Sequence, residues 1–420
     1  MPADSRLRRL ATAALTVALA SLIAGCTHDP NSIFHSRTDF NREVGSLFEL
    51  LIWLGTIVFV FTEVMLLIAL VKFRHRPGSP RQPEQVHGNT RLEILWTLIP
   101  AVVLAIIAVP TVRTIFRTQA PAPASALDVE VIGHQWWWEF RYPEYGIVTA
   151  NEVYLPIGRT VNFSLKTHDV LHSFWIPGLG GKRDLINNRV NHIVFTPDST
   201  TEDAFNGFCA EFCGVSHANM RFRAFTVTPD EFASWVAHQQ TPAAFNSTPA
   251  STTASTATST AAPRSATSAS PTAAPAAPMQ AGFIAFARER MPHYTIPQTP
   301  IPSNLTVPEG LTGNPASGEM IVTRGSCIGC HAVKGVPTMV AEVGPNLTHV
   351  GSRLTIGGGL FPNDTRHLFA WIKNSRAMKP GILMPTQGKG QYDPVVKQTM
   401  SVGLTDQQIA DVVAYLQSLK

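Results

Sequence analysis

The 420-residue sequence predicts a multidomain chain: a two-helix transmembrane hairpin, an all-β Greek-key sandwich and an all-α C-terminal domain. Three observations predict it. Two apolar runs, Leu47 to Val71 and Ile94 to Ile115, each exceed the ~20 residues needed to cross a hydrocarbon core. Between residues 127 and 238, short alternating runs such as LDVEVIG, TVNFSLKT and FRAFTVT are separated by Gly, Pro, Asn and Asp, as in a sandwich. A stretch made almost wholly of Ser, Thr, Ala and Pro, residues 241–278, then divides that region from a last globular one.

Taken in order, residues 1–25 read as an export signal of lipoprotein type. Arg6, Arg8 and Arg9 precede an apolar run from Leu10 to Ala24. The run ends in IAGC, a lipobox-like pattern in which cleavage exposes Cys26 for acylation. The hairpin occupies residues 40–118. Its connecting loop carries Lys72, Arg74, Arg76, Arg81 and Arg91 against Glu84 and Glu93, and positive loops stay cytoplasmic. Everything after about residue 120 is therefore expected on the outer face of the cytoplasmic membrane. Glu63 lies inside the first span, where a carboxylate is costly and suggests a partner. A net charge of +4 is too mild to imply nucleic acid.

The sandwich spans residues 120–238. The 241–278 stretch has nothing to build a core from and reads as a disordered linker. Residues 280–420 form the helical domain, closing on TDQQIADVVAYLQSLK, which opens at a capping Thr405 or Asp406.

Two motifs carry chemistry. SCIGCH places Cys327 and Cys330 three apart with His331 adjacent, the attachment pattern for a covalent c-type haem. Too few further thiols or suitably spaced histidines are present for zinc, and no βαβ context suggests a thioredoxin-like site. A thioether downstream would supply the other axial ligand. KPGILMP resembles the methionine loop of class I cytochromes c, which selects Met384 over Met378; Met339 and Met400 read as packing residues. The second motif is FCAEFCGVSHANM, with Cys209, Glu211, Cys213, His217 and Met220, joined by His172 in DVLHSFWIP. A mononuclear copper site needs one thiolate. Two thiolates can bridge two metal ions, each taking one imidazole, and soft ligands favour copper. A Cys209–Cys213 disulfide would explain neither His217 nor Met220.

This loop closely resembles the CuA loop of cytochrome c oxidase subunit II. The resemblance extends over residues 40–238 through the hairpin, GHQWWWEF, DVLHSFWIP and GLGGKRD. It implies a cupredoxin-like sandwich in which Cys209 and Cys213 bridge two coppers and His172 and His217 are the terminal imidazoles. By the same resemblance Met220 completes one copper and the Glu211 carbonyl the other. The Glu211 carboxylate would help hold a magnesium ion at the catalytic subunit. Asp184 matches an acidic position near that interface or caps a turn. In GHQWWWEF, alternation puts Trp136 and Trp138 on one face and Trp137 on the other. The resemblance makes Trp138 the surface residue where electrons arrive from cytochrome c; Trp137 stands where many members have tyrosine. Glu93 matches a glutamate at the cytoplasmic mouth of a proton channel, and as a first-turn glutamate it also suits a helix start.

The fused arrangement is similar to the cytochrome-c-containing subunit II of bacterial haem–copper oxidases. It implies transfer from a donor cytochrome or quinol-oxidising complex, through haem and CuA, to subunit I, with subunit III as a further partner. A nitrous oxide reductase would need a propeller that the length cannot hold. A copper carrier would need no haem, and a quinol oxidase subunit would lack the thiols. The linker leads to one further expectation, that the haem domain swings between its donor and the surface around Trp138.

Overall fold

The computed structural model describes residues 36–74, 87–199, 203–243 and 286–420 continuously, with a few isolated positions before residue 36. Cys26, most of the export signal, most of the 241–278 linker, and Arg76, Arg81 and Glu84 lie outside the described residues.

Two helices, α1 (Asp39–Lys72) and α2 (Thr90–Thr118), form the hairpin. Both outlast the apolar runs because polar caps extend them: Thr38 accepts from the Asn41 N–H, and Asn89 accepts from Arg91 and Leu92. Each has a mean hydropathy of 2.5 over its most apolar window, and α2 buries no residue. The outer ends are fixed to the rest of the chain. Glu43 pairs with Arg117, and the Asn41 amide donates to the Pro177 carbonyl at 2.9 Å.

Ten strands build the sandwich: β1 (Leu127–His134), β2 (Trp137–Tyr142), β3 (Ile147–Ala150), β4 (Glu152–Pro156), β5 (Val161–Thr167), β6 (His172–Trp175), β7 (Arg183–Leu185), β8 (Asn191–Phe195), β9 (Asp203–Cys209) and β10 (Arg221–Val227). They form two sheets, ordered β3-β2-β1-β5-β8 and β4-β10-β9-β6-β7. The parallel pairs β1–β5 and β4–β10 mark the crossovers between hairpins. Alternation sends Leu127, Val129 and Val131 inward, where they meet Phe140, Phe163, Phe174 and Phe222. A closing helix, α3 (Pro229–Gln240), starts at a Thr228/Glu231 capping box.

The C-terminal domain contains α4 (Pro315–Arg324), α5 (Thr365–Lys373), α6 (Ser375–Met378) and α7 (Asp406–Ser418). Thr405 is the cap of α7, in a box with Gln408. Helices α4 and α7 cross at backbone contact. A Cβ on Gly318 would stand 2.0 Å from the Asp411 carbonyl oxygen, so only glycine fits.

The domain expectation needs one correction. Residues 286–295 belong to the sandwich surface, not to the cytochrome core. Phe286 is fully buried against Phe225, Arg290 pairs with Glu231 at 2.6 Å, and the Thr295 carbonyl accepts from Arg223 at 2.7 Å. In the structure the haem domain is docked on the sandwich. Buried Glu152 of β4 accepts from the Leu354 and Thr355 N–H groups and the Thr355 hydroxyl, at 2.8–3.0 Å. Arg223 also donates to the Gly359 carbonyl at 3.0 Å. Gly357, Gly358 and Gly359 all hold positive φ, forming a knuckle that lets the two backbones approach. Opening this seam would strand several buried donors at once.

Candidate metal centre and haem cavity

The loop between β9 and β10 folds its soft ligands together. Cys209 and Cys213 are free thiols with Sγ atoms 3.7 Å apart, well beyond a disulfide bond length of ~2.05 Å. Each sulfur faces its own imidazole: Cys209 lies 3.8 Å from His172 Nδ1, and Cys213 lies 3.6 Å from His217 Nδ1. The Met220 thioether is 3.8 Å from Cys213, and the Glu211 carbonyl oxygen is 3.2 Å from Cys209. The donor set is therefore split into two halves that share a pair of sulfurs, which suits two soft metal ions better than one. Among the described residues, His172, Cys209 and Cys213 also form a compact buried group of ligand atoms. The neighbouring Cys213 thiol holds Cys209 well below the ordinary thiol range, against burial and with help from His172. The same contact and burial push Cys213 up.

Residues behind the loop orient it. Asp169 meets His172 Nε2 at 2.8 Å, which leaves Nδ1 for the sulfur side. Burial opposes a charge on His172, but Asp169 and Cys209 outweigh it and raise its basicity. The other Asp169 oxygen accepts from the Gln135 N–H at 2.6 Å. Gly133 must be glycine, since a Cβ there would stand 2.7 Å from the His172 ring. Gln135 Nε2 and Trp136 Nε1 both donate to the Cys213 carbonyl, at 2.8 and 3.0 Å. The turn between β1 and β2 is thus fastened directly to the ligand loop.

In the C-terminal domain, Cys327, Cys330, His331 and Met384 line one cavity of ≈ 230 Å³. Its walls are apolar, with Val322, Ile356, Leu368, Ile372 and Leu416. His331 Nδ1–H donates to the Pro345 carbonyl at 2.8 Å, so Nε2 is the nitrogen left to ligate, and burial lowers its basicity. Met378 is buried in the separate helical core, as is Met339. One wall of the cavity comes from the sandwich: Gln135, Trp136 and Trp137 line it, and Lys379 and Arg353 complete the rim between the domains.

Family models match three parts of the chain: cytochrome c oxidase subunit II, transmembrane domain, over residues 34–114; its periplasmic domain over 147–226; and cytochrome c over 315–420. The cytochrome c oxidase subunit 2 of Alkalihalophilus pseudofirmus is 32% identical over 369 residues, covering 87% of this chain and 83% of that protein. That of Bacillus subtilis is 30% identical over 372 residues, covering 85% and 83%. The chain belongs to the cytochrome c oxidase subunit 2 family. The quinol oxidase subunit 2 of Bacillus subtilis is 34% identical over 204 residues, covering 46% of this chain and 62% of that protein.

For a cytochrome c oxidase subunit 2, the placement of Trp138 is a correction. Its side chain is 0% exposed, packed edge-on to Phe174 and Phe222 in the sandwich core. Both Trp136 and Trp138 are buried. Trp136 sits in the turn before β2, buried at the edge of the core, and it borders both the haem cavity and the Cys213 loop. Trp137 stacks on His134, ring centroids 4.2 Å apart. Asp184 lies on β7 paired with Ser173, which removes the turn-cap alternative. The Glu93 carboxylate accepts from the Asn89 N–H at 3.2 Å, the helix-start contact. Glu63 faces outward from α1. Glu211 is half-buried, its carboxylate accepting from the Phe212 N–H.

Three features carried no flag in the sequence analysis. Gln135 meets Asp169 and the Cys213 carbonyl across 34 and 78 positions, whereas Asp169 stands three residues from His172, inside DVLHSFWIP. Trp136 was passed over in favour of its neighbour. The GGG at 357–359 was a signal, since three consecutive glycines outside a linker mark a close backbone approach.

Proposed function

We propose that this chain is the electron-accepting subunit of a bacterial haem–copper oxidase, standing on the outer side of the cytoplasmic membrane. The observation that carries this reading is the shared wall: the turn that lines the haem cavity also donates two hydrogen bonds to the Cys213 carbonyl. Bound at these sites, a covalent haem c and a copper pair supply one-electron chemistry. Cys327 and Cys330 would anchor the haem, and His331 and Met384 would hold its iron within apolar walls. Cys209, Cys213, His172, His217, Met220 and the Glu211 carbonyl would hold the copper pair. The Arg353 guanidinium on the rim suits a carboxylate of the haem. Oxygen is reduced in subunit I, with subunit III as neighbour, and the Glu211 carboxylate faces a magnesium ion there. A cytochrome or a quinol-oxidising complex is the donor.

The test is Trp136→Leu. Its indole joins the two sites, so haem reduction by an external donor stays unchanged while copper reduction slows by about 10²-fold, the scale on which small misplacements of reacting partners are felt. Trp138→Ala instead costs about 3–5 kcal/mol of sandwich stability, as for other buried aromatics. Equal copper reduction in Trp136→Leu and the unaltered chain overturns the assignment of Trp136.

Glu93 is placed at the mouth of a proton channel in subunit I. Glu93→Gln keeps the acceptor that caps α2 and removes the titrating group. Steady-state oxygen uptake is expected to fall while stopped-flow reduction of copper is unaffected; no loss in either assigns Glu93 to the helix start alone.

A further inference from the structure

Lys379 of the haem domain reaches across the seam to the Trp136 turn. Its side chain is fully buried, 2% exposed as a residue. The ammonium donates to the Trp136 carbonyl at 2.6 Å and to the Gly357 carbonyl at 3.2 Å. Among the described residues no carboxylate pairs with it, and burial pushes its basicity down. A cation enclosed without a counter-charge is costly, and a methionine would fill the same space at less cost. Room for it is built by the glycine knuckle, where a Cβ on Gly358 would stand 2.8 Å from Nζ. Lys379 also lines the haem cavity.

Resting on the function proposed above, we infer that Lys379 is a positioning residue for electron transfer within the chain: by gripping the Trp136 carbonyl it fixes the indole between the haem cavity and Cys213. The chain of contacts is continuous. Lys379 Nζ–H donates to Trp136 C=O, and Trp136 Nε1–H donates to Cys213 C=O. Rotation of the indole away from the cavity would have to break one of these bonds. No proton moves and no bond changes in this role; one electron passes from the haem domain to the copper loop past a wall held still.

The experiment uses the full chain in the assembled oxidase. A photoreductant delivers one electron to the haem, and the absorbance of both centres is followed. Lys379→Met, similar in volume and without donors, slows copper reduction about tenfold or more, the effect of one charged hydrogen bond. The copper spectrum stays as it was. Lys379→Gln, whose amide can still donate to a carbonyl, restores part of the rate, which a space-filling role would not produce. A Lys379→Met rate equal to that of the unaltered chain overturns the inference. If the unaltered chain itself passes no electron from haem to copper, the function proposed above fails instead. Should Lys379→Met not retain haem, amine acetylation of the unaltered oxidase decides: exposed Lys389 and Lys397 label readily and Lys379 resists. Equal labelling of Lys379 overturns its place in the seam.

Discussion

If the proposed copper pair is held here, replacing Cys213 by serine is expected to abolish its mixed-valence signature. Cys213 is the hub of the loop. Its sulfur lies within 3.8 Å of Cys209 Sγ, His217 Nδ1 and Met220 Sδ, so removing it breaks the bridge and strips one half of the site of its anion. A serine hydroxyl is a hard, neutral donor at this pH and does not replace a bridging thiolate. Near-infrared absorption and electron paramagnetic resonance of the purified chain read the outcome directly. A mixed-valence spectrum that survives in Cys213→Ser would sink the binuclear assignment.

The second large effect is expected at Glu152. Glu152→Ala strands the Leu354 and Thr355 N–H groups and the Thr355 hydroxyl inside the seam. Breaking such a buried charged network costs about 3–5 kcal/mol, which speeds amide exchange at Leu354 and Thr355 by a factor on the order of 10²–10³. Burial raises the Glu152 carboxyl above the usual range, although Thr355, Arg353 and Leu354 pull the other way. In the opened form it ionises at its ordinary value, so between that pH and the raised one the docked form holds the extra proton. Docking is therefore firmest in acid, weakens as pH climbs toward the raised value, and levels off above it. Glu152→Gln keeps the acceptor and flattens this slope. Exchange at Leu354 and Thr355 that is no faster in Glu152→Ala would mean that the carboxylate does not hold the seam.

What the sequence disclosed was local. SCIGCH and FCAEFCGVSHANM carry their ligands within one loop each, and only His172 and Met384 had to be brought in from elsewhere. The apolar runs mark the hairpin because a bilayer imposes a minimum length on any chain that crosses it. The seam was not legible, because Glu152, Arg223 and Lys379 find partners between 70 and 250 positions away. Alternation cannot say which face of a strand meets the core, and it ends at the turn that holds Trp136. The 241–278 composition suggested free motion of the haem domain, while the contacts that hold that domain in place lie outside the linker.

The strap at residues 286–295 changes what the linker is for. The chain leaves the sandwich at the end of α3 and is back on it at Phe286, so both ends of the low-complexity stretch are anchored to the same body. Loop-closure cost grows only slowly with length. Insertions, deletions and drift among Ser, Thr, Ala and Pro in that stretch are therefore nearly invisible to selection on electron flow. A single change at Phe286 or Arg290, by contrast, falls on the joint that fastens the returning chain to the sandwich.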